Sequence, residues 1–476
     1  MTVGDAVCRA SDPGPQPAPW LLADVVRATG AEVAQRGAAS EFSCVATDSR
    51  NLAGGELFVA LRGERYDAHA FAAAAVAAGA RGLLVERPVE IEGHGVAVLV
   101  VRDTLRALQD LAIALRRRHA PCVIGITGSN GKTTTKEMVA AVLTAASGAD
   151  AVLKTGANLN NQIGVPLTLL GLAGRERYAV IEMGMNTPGE IWRLTEIADP
   201  DVGMITNVGP AHLEGLGSIA GVARAKGELF TRMRRTATAV ANADDPHVSA
   251  LADAFPGRVV RFGDGTEIAA EDVRCDDDGV AAFRLRVGEA RADVRLCIAG
   301  RHNVQNALAA AAAAHAVGVG IDAIRAGLAV AASVGNRMRV IKLPNGITIV
   351  NDSYNANPAS MGAALRSLAE SRAVRRIAVL GDMLELGPSG PELHRAVGEL
   401  AGRLGIDALY LLGGHAEEVA AGARDHLPSG AVHVAASHAA IAEALGRTAT
   451  AGDRVLVKGS RGQRMEDVVR LLGAAV

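Results

Sequence analysis

The chain has 476 residues, 49% hydrophobic but only 3% aromatic, and a formal net charge of −2. That length implies about three domains, each with enough apolar residues for a core. The lack of aromatics excludes stacking platforms for single-stranded nucleic acid, and the near-neutral charge excludes a global basic field for nucleic acid or an anionic membrane, which leaves small molecules as partners.

Residues 1–19 carry Pro13, Pro15, Pro17 and Pro19 with little apolar content, which predicts a disordered tail. No basic stretch followed by an apolar one opens the chain, so no signal peptide is expected. The most apolar run, 307–321, is interrupted by His315 and falls short of the ~20 residues that cross a bilayer. Cys8, Cys44, Cys122, Cys275 and Cys297 lie far apart without a CxxC pair, the pattern of buried thiols in a reducing compartment. A cytoplasmic protein is expected, with a monomer as the default.

From Trp20 onward, short apolar strands (57–61, 83–86, 96–101) alternate with helical patterns (70–78, 104–119), a small α/β N-terminal domain over 20–119. Pro121 punctuates. Residues 120–333 open with a β-rich run at 122–127, a Gly-rich loop and a helix from about Lys132. Further strands are expected at 179–182, 202–206 and 239–242. Such alternation builds a parallel sheet covered by helices. Residues 266–298 read as a small antiparallel appendage, and an Ala-rich helix follows from about His302. The third section, 334–476, repeats the alternation with strands at 348–352, 376–381, 408–412, 432–435 and 454–458. The predicted fold is therefore α/β in three domains, with a central P-loop domain and a Rossmann-like C-terminal domain.

Residues 125–135 read GITGSNGKTTT between a hydrophobic strand and a helix, the context a phosphate-binding loop requires. Gly128, Ser129, Asn130 and Gly131 would turn backbone N–H groups toward phosphate oxygens. Lys132 would reach the β/γ-phosphates, and Thr133 and Thr134 open the helix, with the Thr133 hydroxyl suited to Mg²⁺. The loop departs from GxxxxGK[ST] by one residue, since Ile126 stands where that pattern has Gly and Gly125 comes one step earlier.

A nucleotide loop alone leaves kinase, ATPase, GTPase and ligase open. Glu182 ends the next strand, where a carboxylate suits Mg²⁺ or simply faces water. His212 follows another strand, and Lys226 on a predicted helix reads equally well as an exposed lysine.

Six strings taken together are more specific. GITGSNGKTTTKEM, NLNNQIGVPLTLL, VIEMGMNTPGEI, TNVGPAHLEGLGSIAGVARAKGELF, GRHNVQNALAA and NDSYNANPASM resemble, in order and spacing, the Mur ligase family, over almost the whole chain from about residue 20. They are most similar to the member that adds D-alanyl-D-alanine to UDP-N-acetylmuramoyl-tripeptide in peptidoglycan synthesis.

The resemblance implies ATP and Mg²⁺ as cofactors and an acyl-phosphate intermediate. It gives Lys132, Glu182, His212 and Lys226 catalytic roles. Thr133, Glu182 and His212 would be metal ligands, joined by Lys226 if that lysine is carbamylated. It assigns Asn303 and Asn306 to adenine, Arg337 to phosphate and Asp352 to ribose, although Asn336 stands where the family often has Gly before the arginine. Ser49, Arg50 and Arg62 would hold the UDP end in the N-terminal domain. Asn158, Asn161, Tyr354, Asn355 and Asn357 would lie on the substrate side. Lys458, Ser460 and Arg461, in a KGSR string that ends a strand and opens a helix, would hold the peptide or dipeptide.

Overall fold

The computed structural model describes residues 19–63, 66–89, 91, 95–428 and 430–473. The tail expected over 1–19 lies outside these except for Pro19.

The N-terminal sheet runs in the order Glu32–Gln35, Ala97–Val100, Gly82–Val85, Leu57–Val59, Val45–Ala46, with the first pair antiparallel and the rest parallel. Alternate residues bury opposite ways: Leu57, Val59, Leu84 and Leu99 join one core cluster, Phe58, Leu83, Val85 and Val98 another. That two-sided burial is why these strands read as continuous apolar runs. The helix Thr104–His119 is capped by the Asp103 side chain and ends in a basic run that suits its C-terminal dipole. Its buried Leu108, Leu111 and Leu115 share a core with Val165, Leu194 and Ile197 of the next domain.

The central sheet has nine strands. From one edge they are Ala290–Ala299, Val280–Val287, Ile268–Cys275, Arg258–Phe262, Thr238–Asn242, Val202–Ile205, Cys122–Thr127, Tyr178–Glu182 and Val152–Lys154. The six from Arg258–Phe262 onward are parallel. The antiparallel segment expected as an appendage instead continues this sheet, because Phe262 pairs with Ile268 and carries the ladder outward. The helix Asn303–Ala316 is buried along Ala307–Ala314. Its small side chains let it approach the sheet closely, so alanine fills the core that aromatics would fill elsewhere.

The C-terminal sheet runs Arg339–Lys342, Thr348–Asp352, Arg454–Lys458, Arg376–Gly381, Ala408–Leu412, Val432–Val434, antiparallel only in the first pair. The cysteines differ from expectation. Cys44 is disulfide-bonded, and of the free thiols Cys122 and Cys275 are half-buried and Cys297 exposed. No helix among the described residues is long and apolar enough to cross a membrane.

Candidate active site

The strand Cys122–Thr127 lies between Tyr178–Glu182 and Val202–Ile205. The chain leaves it first toward one edge and later toward the other, so its carboxyl end is the point where strand order reverses and ligands bind in open α/β sheets. The phosphate loop turns there. Gly131 has φ +80, and a Cβ on it would lie 2.2 Å from Asn306 Oδ1. At Gly128 a Cβ would lie 1.9 Å from Thr206 Oγ1, so both positions require glycine. Asn207 pins the loop from the neighbouring strand end. Its carbonyl accepts the Ser129 N–H at 2.9 Å and its Oδ1 accepts the Asn130 N–H at 2.9 Å. Lys132 Nζ donates to Gly128 O at 2.7 Å, folded back across the loop.

Register places the acid. Glu182 is opposite Ile126 in the parallel ladder, which brings its carboxylate to the mouth of the loop. Only 2% exposed, it accepts from Asn160 Nδ2 at 2.8 Å through Oε1, while Oε2 has no hydrogen-bond partner among the described residues. The nearest cation is Lys136 Nζ at 3.9 Å, already engaged with Thr155 O at 2.7 Å and Glu137 at 3.0 Å. A buried carboxylate oxygen left unpaired is costly unless a cation completes it.

Burial pushes the Lys132 ammonium pKa down, with Glu182 opposing the shift and Arg337 adding to it. Lys226, on the helix Ile219–Arg232, is 2% exposed and makes no ion pair among the described residues. Burial first, then the charge of Lys132, holds its ammonium well below the usual lysine range. His212 has φ +55, and its Nδ1 lies 2.6 Å from Glu385 Oε2 of the C-terminal domain. That hydrogen bond keeps the Glu385 carboxyl below its ordinary pKa.

The remaining walls come from two domains. Asn306 Nδ2 donates to Asn303 Oδ1 at 2.8 Å, and Asn306 Oδ1 accepts from Thr135 Oγ1 at 3.3 Å, which joins the Ala-rich helix to the phosphate-loop helix. Asp352 and Lys458 are register partners on adjacent strands, so Lys458 Nζ meets Asp352 Oδ2 at 2.5 Å. The Arg337 guanidinium stacks 3.6 Å from the Tyr354 ring centroid. Asn357 Nδ2 donates to Asn130 Oδ1 at 2.8 Å across the domain junction.

The resulting cleft is about 650 Å³. Ser129 to Thr134, Asn158, Asn161, Glu182, His212, Asn303, Asn306, Arg337, Asp352, Tyr354, Asn355, Asn357 and Lys458 all line it. Gly128 and Lys226 are not among its lining residues. Ser49, Arg50 and Arg62 sit apart on the N-terminal domain, with Arg50 paired to Asp48 at 2.6 Å and Arg62 to Glu86 at 3.9 Å. The KGSR residues separate: the Ser460 hydroxyl is used inside the C-terminal domain by Leu384 N–H and Ala356 O, while Arg461 pairs with Glu466 at 2.7 Å beside another cleft.

Sequence reasoning gave no role to Asn160, Asn207, Lys136, His302 or Glu385. Asn160 and Asn207 lie inside recognised strings, so their amides were open to inspection. Glu385 has no local signal, because its contact lies 173 residues away.

Residues 41–116 match the family described as Mur ligase family, catalytic domain; 126–314 match Mur ligase middle domain; 336–461 match Mur ligase, glutamate ligase domain. The chain is 42% identical over 443 residues to the UDP-N-acetylmuramoyl-tripeptide--D-alanyl-D-alanine ligase of Escherichia coli K12, covering 92% of this chain and 95% of that one. Its similarity to the enzyme of that name in Bacillus subtilis 168 is 38% identity, covering 90% and 92%. A crystal structure of MurF from Acinetobacter baumannii superposes with a TM-score of 0.88 at 35% identity, over 96% of this chain and 100% of that one. MurF from Thermotoga maritima in complex with ADP gives 0.81 at 29% identity, over 90% and 96%.

Proposed function

Since the chain belongs to the Mur ligase family, we propose that it joins D-alanyl-D-alanine to UDP-N-acetylmuramoyl-tripeptide with consumption of ATP, in peptidoglycan precursor synthesis. The observation that carries this reading is the convergence of Lys132, Glu182 and His212 from the central domain with Arg337, Asp352 and Lys458 from the C-terminal domain on one cleft. Relatives of this length that carry the dipeptide-ligase name support the substrate pair.

The chemistry follows from the groups present. A carboxylate is a poor electrophile, so its oxygen attacks the ATP γ-phosphorus, ADP departs, and an acyl phosphate forms. The dipeptide amine then attacks that carbonyl, and phosphate leaves from the tetrahedral intermediate. Two anions must first approach each other. Lys132 and the N–H groups at the helix start neutralise the phosphate oxygens, and Arg337 adds a second cation. Asp352 suits the ribose hydroxyls, and the side-chain amides of Asn303 and Asn306 suit the exocyclic amine and ring nitrogens of adenine.

The residues fit Mg²⁺. Glu182 Oε2 is buried and unpartnered, and Thr133 lines the same cleft. A cation there would complete its shell with phosphate oxygens and water. Thr133 and Glu182 would hold one ion, and His212 would help hold a second with Lys226 as a carbamate. Bound there, Mg²⁺ would supply charge neutralisation at the phosphates. The depressed ammonium pKa of Lys226 favours the neutral amine that adds CO₂. Ser49, Arg50 and Arg62 would take the uridine diphosphate end. Lys458 would take the peptide side, with Ser460 holding the loop behind it and Arg461 beside the neighbouring cleft. ATP and a nucleotide-linked precursor as substrates support a cytoplasmic location.

The test is phosphate release with ATP, Mg²⁺ and UDP-N-acetylmuramoyl-tripeptide, with and without D-alanyl-D-alanine. Release that depends on the dipeptide and yields a pentapeptide product is expected. Release driven by one amino acid on a shorter precursor would move the chain to another step, and release indifferent to every acceptor would remove the ligase reading.

A further inference from the structure

Glu385 has no part in the proposed reaction, yet among the described residues it is the one carboxylate through which the C-terminal domain touches a proposed metal ligand of the central domain. Its Oε2 lies 2.6 Å from His212 Nδ1, and its main-chain carbonyl accepts the Glu214 N–H at 3.2 Å. The two backbones are shaped for this meeting. His212 has φ +55 and Glu385 φ +62, both in the left-handed region that residues with a Cβ rarely adopt. Gly387 follows at φ +57, and a Cβ there would stand 3.4 Å from Glu214 Cα, so the loop after the strand Arg376–Gly381 lies against the start of the helix Leu213–Leu216.

Stability does not explain the contact. The Glu385 side chain is 56% exposed, and an exposed ion pair contributes little to folding. Orientation does explain it. A carboxylate on Nδ1 requires the proton on that nitrogen, which leaves the Nε2 lone pair as the free donor of an imidazole that lines the nucleotide cleft. A carboxylate behind a histidine ligand is a recurring way to fix ring orientation and tautomer at a metal.

We propose that Glu385 is a positioning residue: delivered by the C-terminal domain, it holds His212 with Nε2 toward the nucleotide cleft, so the cation site is complete only when that domain is seated. The inference rests on the reading of His212 as a metal ligand given above. It makes Glu385 a link between domain seating and cation affinity, with no contact to substrate.

The experiment is a calorimetric titration of Mg²⁺ into the full-length chain holding a non-hydrolysable ATP analogue, for wild type, E385A, E385Q, H212A and the double variant, with thermal melting of each. E385A is expected to raise the Mg²⁺ concentration at half-saturation about tenfold or more, the usual effect of removing such a partner. E385Q keeps an oxygen that accepts the Nδ1 proton and is expected to fall much closer to wild type. Adding E385A to H212A is expected to change nothing further. In turnover, kcat should fall while KM for the UDP-linked precursor holds. An unaltered Mg²⁺ dependence in E385A overturns the role, whatever happens to its melting temperature. So does a shift of equal size in the H212A background. Dipeptide-dependent phosphate release by the wild type tests the function separately, so a chain that passes that assay and fails this one removes only Glu385.

Discussion

Lys132, half-buried, and Lys226, buried, are two ammonium groups with different partners. Lys132 has Gly128 O at 2.7 Å and the Glu182 carboxylate nearby; Lys226 has no ion pair among the described residues and feels Lys132 as a like charge. In the proposed reaction Lys132 supplies the charge that anchors phosphate. Lys132→Ala should therefore lower kcat by roughly a thousandfold, in line with the loss of a preorganised electrostatic donor, while its melting temperature stays near that of wild type. Near-normal turnover in that variant would exclude the loop as the nucleotide site.

Lys226 should behave in the opposite sense for stability. Its pKa is depressed in the fold, so between that lowered value and the ordinary lysine value the unfolded chain binds more protons than the folded one. Stability must then rise with pH across that window and be lost as pH falls through it. Lys226→Met removes the penalty and keeps the volume. Urea unfolding in CO₂-free buffer should show the variant more stable than wild type at pH 7, with a flatter pH dependence and little activity. A less stable variant would mean that the ammonium has a compensating partner.

At the scale of elements, the helix Pro358–Glu370 joins stability to the site through its first residue. Asn357 caps it: Oδ1 accepts the Ser360 N–H at 2.9 Å and the Ser360 hydroxyl accepts the Asn357 N–H at 3.0 Å, while Nδ2 reaches Asn130 at 2.8 Å. Asn357→Ala should cost about 1 kcal/mol in urea unfolding and also raise KM for ATP. Asn357→Ser keeps a capping oxygen but no amide donor, so stability should recover and KM for ATP should not. Recovery of both would show that Asn130 needs no support from this helix. Much of this scale was legible in the sequence. The strands Cys122–Thr127, Arg376–Gly381 and Arg454–Lys458 are buried along their length and read as apolar runs. The two-residue strands Trp20–Leu21 and Glu41–Phe42 and the edge strand Val152–Lys154 are too short or too exposed to leave a period. The antiparallel strands after residue 266 were visible as strands, but their continuity with the parallel sheet depends on one Phe262–Ile268 pairing that no local pattern encodes. For the same reason the phosphate loop was legible and the Glu385–His212 contact was not.

The whole molecule is joined at two junctions, each with a shared apolar core. The N-terminal domain shares an apolar core with the central one through the helix Thr104–His119. At that seam the buried Arg116 donates to Ala198 O at 3.1 Å and Asp199 O at 2.9 Å. The central and C-terminal domains also share an apolar core, in which Ile124, Met138 and Leu308 cluster with Val350, Leu365 and Leu456, but the contacts at the cleft itself are polar: Asn357 with Asn130, His212 with Glu385, and, farther along, Arg454 with Asp278 at 2.7 Å. Polar contacts of this kind open locally at lower cost than an apolar seam. A nucleotide held by Lys132 and Arg337, as proposed, would add binding energy to the closed form only, about 2.7 kcal/mol at a hundredfold excess over Kd. Hydrogen exchange with and without a non-hydrolysable ATP analogue should therefore slow at 128–135, 352–363 and 383–387. Residues 104–119 should exchange slowly in both states. Equal slowing along 104–119 would mean that the N-terminal seam opens as readily as the C-terminal one, and that closure involves all three domains rather than the seating of one upon a joined pair.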